Sequence, residues 1–506
     1  MATRLENPYQ SSSRQPHVWL RGNVHAHTTL SDGKRTPQEL IDIYAKNGYD
    51  FLALTDHDRL SDASALDARG LILLPGCCEI TANGPHLLQL GANHAVEPHP
   101  DRQTVIDEVN RKNGLPVLCH PNWQATFDHW SFNAMRNLRD AVGVEIFNTG
   151  CWFDAGSGFA LDKWDRLLSA GFSLWGFATD DCHREREDCG GWIAALVPSD
   201  NRTPEAIFDA LRRGAFYAST GVTIERIEVE GTRLSVFAPD AECIEIISDN
   251  GMHLLRVDGN ELVFDAAEVD RQYLRVECRG HGHRVAWTQP FFLRGGLAEH
   301  RRELEQTFQR PENRPALKAL HVQKTLAPDD NRWREAQAHE RFFCLPSGAE
   351  PDVKTSVRSA LTATHLQFLI RCEEPLMSQM RVKIHEDDNT SLWTDESIEL
   401  FLDIDRTGGQ HCYQLIVNPC GCRAAMQPLK WQKHLDWICQ ATQDATGWTA
   451  QITILLASLG TPAVRPDPAR WGLHVCRNRP VAKKIYVLNW LSYNHDAERY
   501  GSLVLA

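Results

Sequence analysis

Between residues 18 and 220, short apolar runs of strand length alternate with amphipathic helical segments, and run after run ends on a histidine, an aspartate or a glutamate. The runs cover residues 18–25, 51–55, 71–74, 87–90, 116–119, 143–147 and 174–178. This alternation predicts a parallel α/β sheet or barrel. The helices carry their own signals. Thr36-Pro37-Gln38-Glu39 is a capping box with proline at the first helical position, and Leu40, Ile41, Ile43 and Tyr44 follow as an apolar face. Further helices are expected over residues 102–113, 161–170 and 204–213, the last capped by Thr203.

The strand ends carry the chemistry. In an extended strand residues i and i+2 share a face, so His25 and His27 aim two imidazoles at one point, and Ser31-Asp32-Gly33 turns the chain so that a carboxylate can follow. The second run ends in Thr55-Asp56-His57-Asp58, the third leads to Glu79, and His86 opens the fourth. The fifth ends in Cys119-His120-Pro121-Asn122, the sixth in Glu145-Ile146-Phe147-Asn148 and the seventh in Thr179-Asp180-Asp181-Cys182-His183. In α/β barrels the active site lies at the carboxyl ends of the strands. A single such histidine is ordinarily a hydrogen-bonded structural residue. Several in succession would each carry a desolvation cost, and a shared divalent-metal site answers all of them.

The remaining chain changes texture. Residues 221–294 hold short β-rich runs with turns at Asp249-Asn250-Gly251 and Asp258-Gly259-Asn260, and are expected to form a small β-sandwich. Residues 295–340 are charged and helix-prone and are expected to be a connector, and residues 341–506 are β-rich again. At 506 residues the chain is too long for one hydrophobic core. A formal net charge of -13 argues against nucleic acid as a partner. Residues 1–17 are polar, with no secretory h-region, and no apolar run approaches the ~20 residues that span a bilayer, so no membrane partner is expected. The 15 cysteines are scattered and are expected to be reduced, in a cytoplasmic protein. Cys77-Cys78 and Cys420-Gly421-Cys422 lack zinc-ribbon spacing, and the sequence sets no oligomeric state.

Taken together, His25-x-His27 with Ser31-Asp32-Gly33, Thr55-Asp56-His57, Glu79, His120-Pro121 and Asp181-x-His183 resemble the motifs of the polymerase-and-histidinol-phosphatase (PHP) superfamily, in family order across residues 17–220. The resemblance implies a distorted seven-stranded β/α barrel holding two or three divalent metals. It implies that His25, His27, Glu79 and Asp181 hold one metal, that Glu79 bridges to a second held by His86 and His120, and that Asp32, His57 and His183 hold a third. Imidazole with carboxylate suits Zn²⁺, Mn²⁺ or Fe²⁺, and the lack of thiolates argues against a closed structural zinc site. Neighbouring metals bring a bridging water towards neutral pKa, so that hydroxide is the nucleophile, and neutralise charge on the reacting oxygen. Asp181, Glu79, His183 and Arg184 are the expected catalytic residues, with Arg184 and Arg186 as substrate-side cations. Asp56 is expected to orient a histidine, Asp180, Glu145 and Asn148 to line the pocket, and Asp58 receives no role.

The stretch Gly214-Ala215-Phe216-Tyr217-Ala218-Ser219-Thr220 resembles the CehA/McbA-like branch of that superfamily, which implies carbamate or ester hydrolysis beside phosphoesterase activity. Residues 341–506 resemble family 9 carbohydrate-binding modules through Trp393-Thr394-Asp395-Glu396-Ser397-Ile398-Glu399-Leu400-Phe401-Leu402-Asp403, Tyr413-Gln414-Leu415-Ile416-Val417-Asn418 with Gly421, and Trp448. That resemblance implies a C-terminal β-sandwich, with Trp431, Trp437, Trp490 and Tyr493 as candidates for stacking on sugar, although tryptophans in a sandwich are as often core. The expected function is a metal-dependent hydrolase, first a phosphoesterase for a small or sugar-containing ester. The alternatives are a metal-dependent carboxylic or carbamic ester or amide hydrolase, and a non-catalytic carbohydrate-binding protein. Decayed ligands would mark the last, whereas all nine ligand positions hold competent residue types.

Overall fold

The strand His17–Asn23 is paired along both edges. One edge takes Phe51–Leu52 in parallel, which takes Ile72–Leu73 in parallel in turn. The other takes Trp192–Pro198 antiparallel, in register from His17 opposite Pro198 to Gly22 opposite Ile193. Trp192–Pro198 and its neighbour Phe216–Ser219 lie outside the expected strand set. Both are near-continuous apolar runs, and periodicity does not separate such a run from buried helix.

The computed structural model describes residues 4–10, 15–124, 126–154, 157–267, 269, 271–345, 347–406, 411–427, 430–431, 435–460, 470–491 and 494–505. They fall into two compact units, Met1–Glu299 and His300–Ala506. In the first unit a second sheet runs in the order Cys78–Ile80, Leu87–Leu90, Leu115–Leu118, Gly143–Asn148, Trp175–Thr179. Its first two pairings are antiparallel and its last two parallel, so the expected parallel arrangement holds in part. A parallel return needs a crossover of roughly a dozen residues, and residues 81–86 are too short for one. Two isolated parallel bridges, Ala26 with Cys182 and His57 with Glu79, stitch the two sheets together. The supporting main-chain bonds run from Asp181 N–H to His25 C=O (2.9 Å), His27 N–H to Cys182 C=O (3.1 Å), Glu79 N–H to Thr55 C=O (3.2 Å) and Asp58 N–H to Glu79 C=O (2.7 Å). The stitching therefore falls on the ligand-type residues themselves.

The helices follow their sequence signals. Pro37–Lys46 begins with the capping box, Thr36 Oγ1 accepting from Glu39 N–H at 3.3 Å and Glu39 Oε2 from Thr36 N–H at 2.8 Å. Arg102–Arg111, Leu161–Ser169 and Pro204–Arg213 complete the expected set, the last with Thr203 accepting from Ala206 N–H. Gly214 takes a left-handed φ of 76° just past that helix, which only glycine adopts freely.

Residues 221–294 differ from the expected separate sandwich. Val285–Trp287 pairs with Phe216–Ser219, placing Ala218 opposite Trp287, so these strands continue the sheet that contains His17–Asn23. Their side chains Ile244, Ile246, Leu274 and Val276 share one buried cluster with Leu40, Ile41, Tyr44 and Leu54. Residues 226–265 add a three-stranded sheet, Arg226–Glu230, Arg233–Phe237 and Glu261–Asp265.

The second unit is a two-sheet sandwich. One sheet runs Ala316–Lys318, Gly501–Val504, Arg470–Arg479, Ser397–Asp403, Cys412–Val417, Arg423–Gln427, and the other Leu320–His321, Thr355–Leu361, His365–Glu373, Gly447–Leu455, Trp437–Asp444. Phe368, Ile370 and Trp448 from one sheet and Leu400, Leu402 and Val475 from the other fill a single core. The expected connector starts as the helix Gly296–Gln309 and then gives one strand to each sheet. The 15 cysteines are free thiols, and among the described residues no helix is long and apolar enough to cross a membrane.

Gly22 lies opposite Phe51, and a Cβ there would stand 2.2–2.4 Å from three atoms of the aromatic ring. Gly22→Ala should therefore lower unfolding free energy by roughly 1–3 kcal/mol, read from urea titration, through overpacking at the root of the His25 segment.

Candidate metal centre

Strand pleat isolates the key side chains. Cys78 and Ile80 enter the apolar core, leaving Glu79 alone on the opposite face. Ala26 likewise turns into a core while His25 and His27, 0% and 1% exposed, point the other way. Two ligand-type residues hold left-handed backbone, His120 at φ 28° and Asp181 at φ 51°. Each is pinned: His120 N–H donates to Glu145 Oε2 at 2.7 Å, and Asp181 N–H to His25 C=O.

The nine expected ligands come together around Glu79. Its Oε2 lies 3.5 Å from His25 Nε2, 3.4 Å from His27 Nε2 and 2.9 Å from His57 Nδ1. Its Oε1 lies 2.9 Å from His86 Nδ1 and 3.2 Å from His120 Nε2. Asp181 Oδ1 closes the first group at 3.3 Å from His25 Nε2 and 3.1 Å from His27 Nε2. Asp32 Oδ1 closes another at 3.3 Å from both His57 Nε2 and His183 Nε2, with His27 Nδ1 at 4.0 Å. His27 thus faces two ligand groups with its two nitrogens, where one was expected. His86 and His120 are joined by His129, whose Nε2 accepts from His86 N–H at 2.9 Å. His129 was not anticipated; it lies on a loop, away from any strand end, and no spacing rule points to it.

A ring of polar side chains holds these ligands. Glu145 takes the Nδ1 of His25 at 2.6 Å, which leaves Nε2 facing Glu79 and Asp181. It also accepts from Asn148 Nδ2 (2.9 Å) and Thr179 Oγ1 (2.7 Å), and Asn148 Nδ2 reaches Asp181 Oδ2 at 3.2 Å. Glu145 and Asn148 therefore stand behind the ligands and not on the cavity wall. Asp180 is turned away, accepting from Tyr44 Oη at 2.6 Å and from N–H groups of Cys189, Gly190 and Gly191; burial lifts its carboxyl to about 6. Asp56 orients no histidine. It gathers Thr28 and Ser31 and so shapes the turn carrying Asp32. Asp58 fixes the 81–82 loop, accepting from Thr81 N–H at 2.8 Å.

The electrostatics match a cation site. Burial would push His57 and His183 down, but Asp32 outweighs it, with Glu79 assisting at His57 and Asp181 at His183, and holds them near 10 and 9. His25 is likewise burdened by burial and held well above its ordinary value by Asp181, Glu145 and Glu79. His27 falls, because burial outweighs its carboxylate neighbours. His183 and His57 hold Asp32 well below the carboxylate range, and at Glu79 and Asp181 the imidazoles overcome burial in the same direction. The fit to metal rests on orphaned atoms: His25 Nε2, both nitrogens of His27, His57 Nδ1 and Glu79 Oε2 are buried without a hydrogen-bond partner among the described residues. His57 Nδ1 and Glu79 Oε2 are 2.9 Å apart and still lack hydrogen-bond geometry. Imidazole nitrogens and carboxylate oxygens that converge this closely without hydrogen-bond geometry fit a shared cation. Cys119 also lies within reach of His25 with Glu145 and of Glu79 with His120, and burial raises its thiol well above the usual range.

A cavity of about 350 Å³ opens over the cluster, walled by Asp32, Lys34, His57, His86, Trp123, Cys151, Asp154, His183 and Arg184, with Glu79, His120 and Asp181 at its base. Arg184 reaches it as expected, although its guanidinium lies 3.4 Å from Asp154. Arg186 pairs with Asp154 and is absent from the wall. Lys34 and Trp123 were not anticipated; Lys34 follows the Ser31-Asp32-Gly33 turn directly, a position that could have drawn attention. In the second unit Trp437 and Trp490 are buried, 8% and 1% exposed, so neither offers a ring face to sugar. Tyr493 and the side chain of Trp431 lie outside the described residues.

No family model and no curated protein matches the chain. Among solved structures it is similar to a Bacteroides vulgatus two-domain protein containing a predicted PHP-like metal-dependent phosphoesterase, at 16% identity over 56% of this chain and 92% of that one, with a TM-score of 0.31. It is similar to an amidohydrolase of Chromobacterium violaceum at 16% identity, over 32% and 87% of the two chains, with a TM-score of 0.26. It is also similar to a family 9 carbohydrate-binding module of Caldicellulosiruptor kristjanssonii in complex with cellotriose, at 13% identity over 38% and 93%, with a TM-score of 0.29.

Glu145 touches no predicted metal but fixes the tautomer of His25. Glu145→Gln should weaken metal retention by roughly 10–100-fold, read by chelator competition, with the fold unchanged by circular dichroism.

Proposed function

We propose that residues 17–220 form a metal-dependent hydrolase on a distorted β/α barrel, and that its substrates are phosphate esters of small molecules. One observation carries this reading: the two oxygens of buried Glu79 face separate imidazole groups, His86 and His120 at Oε1 and, at Oε2, His25, His27 and His57, whose facing nitrogens have no hydrogen-bond partner among the described residues, beneath a cavity that also presents Lys34 and Arg184. His25, His27, Glu79 and Asp181 would hold one ion, Glu79, His86 and His120 a second, and Asp32, His57 and His183 a third. Divalent ions held there would supply Lewis acidity and would lower the pKa of water towards neutrality.

The chain supplies the rest. Glu145 and Asn148 fix His25 and Asp181 in place, and the Nδ1–H of His183 donates to Asp181 C=O at 2.9 Å, which leaves Nε2 facing Asp32. Lys34 and Arg184 offer positive charge where substrate oxygens enter. This favours a phosphoester over a neutral carboxylic or carbamic ester, which has no net charge to meet them. Trp123 and Cys151 line the same cavity.

Hydrolysis of p-nitrophenyl phosphate, bis-p-nitrophenyl phosphate and a naphthyl ester, measured side by side with Mn²⁺, tests the reading. Phosphate esters should turn over and a chelator should stop them. His27→Ala and Asp181→Ala should each reduce turnover to background while circular dichroism stays native. Turnover of the naphthyl ester alone would replace phosphoester with carboxylic ester chemistry, and a protein that retains no transition metal after reconstitution would sink the hydrolase reading.

A further inference from the structure

Among the described residues two non-histidine cations face the cavity, and their circumstances differ. Arg184 lies 3.4 Å from Asp154, a carboxylate it shares with Arg186. The ammonium of Lys34 has no ion-pair or hydrogen-bond partner among the described residues. An unpaired cation in a cavity otherwise lined by Asp32, Glu79, Asp154 and Asp181 is well placed to meet an incoming anion.

The backbone beneath Lys34 is fixed. Its N–H donates to His183 C=O at 2.9 Å, and Gly33 N–H donates to Thr28 C=O at 3.0 Å. A Cβ on Gly33 would strike the main chain of His27, so the turn tolerates no larger residue there. Asp56 ties the hydroxyls of Thr28 and Ser31 into the same turn. One rigid turn thus delivers Asp32 to His57 and His183, and Lys34 to the space above them. The bond to His183 also sets Lys34 beside the segment that carries Arg184.

We propose that Lys34 binds the anionic oxygens of the substrate's terminal phosphate and gives the site a preference for a monoester over a diester. This rests on the phosphoester reading above. A monoester carries close to two negative charges at neutral pH and three free oxygens, a diester one charge and two oxygens. The metal ligands and Arg184 serve both. Lys34 is the cation free to take the additional oxygen, whereas Arg184 must first leave Asp154. Ammonium suits this task as a mobile point charge with three donors.

The test uses binding as well as turnover. The full chain, reconstituted with Mn²⁺, is titrated calorimetrically with inorganic phosphate and with dimethyl phosphate, for the unsubstituted protein, Lys34→Gln and Lys34→Arg. Unsubstituted protein should bind phosphate more tightly than dimethyl phosphate. Lys34→Gln should weaken phosphate by about tenfold or more and leave dimethyl phosphate within about twofold, as the loss of one charge-assisted bond requires. Metal content should stay constant, and Lys34→Arg should recover most of the affinity. In parallel, Lys34→Gln should raise KM for p-nitrophenyl phosphate more than for its bis ester. An unchanged phosphate affinity in Lys34→Gln, or an equal loss for both probes, overturns the proposal. If the calorimetric pattern appears while neither ester turns over, the hydrolase reading fails and the role of Lys34 in oxyanion binding stands.

Discussion

Glu79 is the residue on which the first unit turns. A carboxylate 1% exposed is costly unless opposite charge and hydrogen-bond donors surround it, and removing one partner of such a group typically costs several kcal/mol. Here the compensation comes from five imidazoles, His25, His27 and His57 around one oxygen and His86 and His120 around the other. Its main chain is tied on both sides, to Thr55 and Asp58, so the side chain cannot move to seek solvent. The strands that meet at Glu79 are therefore those that carry the candidate ligands, and the bridges that join the two sheets fall on the same residues.

That coupling is strained. His120 and Asp181 occupy left-handed backbone, a conformation that costs of order 1–3 kcal/mol for such residues and survives where surroundings over-determine it. Glu145 and the carbonyl of His25 provide that determination. The outer polar ring follows the same logic. Asp56 builds the turn for Asp32, Lys163 donates to the carbonyls of Pro121, Phe127 and Trp130 and so anchors the loop that holds Trp123 and His129, and Asp180 gathers the 189–191 segment. The first two of these fix segments that reach the cavity, through Asp32 and Trp123.

Strand pairing also redraws the boundaries that texture alone suggested. Residues 221–294 look like a separate sandwich because their runs are short and lack helices. Their sheet nevertheless continues through Phe216–Ser219 and Trp192–Pro198 to His17–Asn23, so main-chain hydrogen bonds bind them into the first unit. In the second unit, the tryptophans that could have met sugar serve packing: Trp490 is buried with its Nε1–H donating to Glu305, and Trp437 joins the sandwich core.

The sequence by itself determined the helices and their caps, most strands, and the nine ligand types at successive strand ends. These depend on local periodicity and on chemistry that a residue carries wherever it lies. The tertiary structure decided what depends on direction. It set His27 between two candidate ligand groups, brought His129 in from a loop, moved Asp56 from a histidine to a turn, withdrew Asp180 and Arg186 from the cavity, and left the Lys34 ammonium facing it with no partner among the described residues. Spacing along a strand reveals which face a side chain takes. In loops and turns, direction follows from long-range hydrogen bonds, such as Lys34 N–H to His183 C=O, and those exist only once distant segments have met.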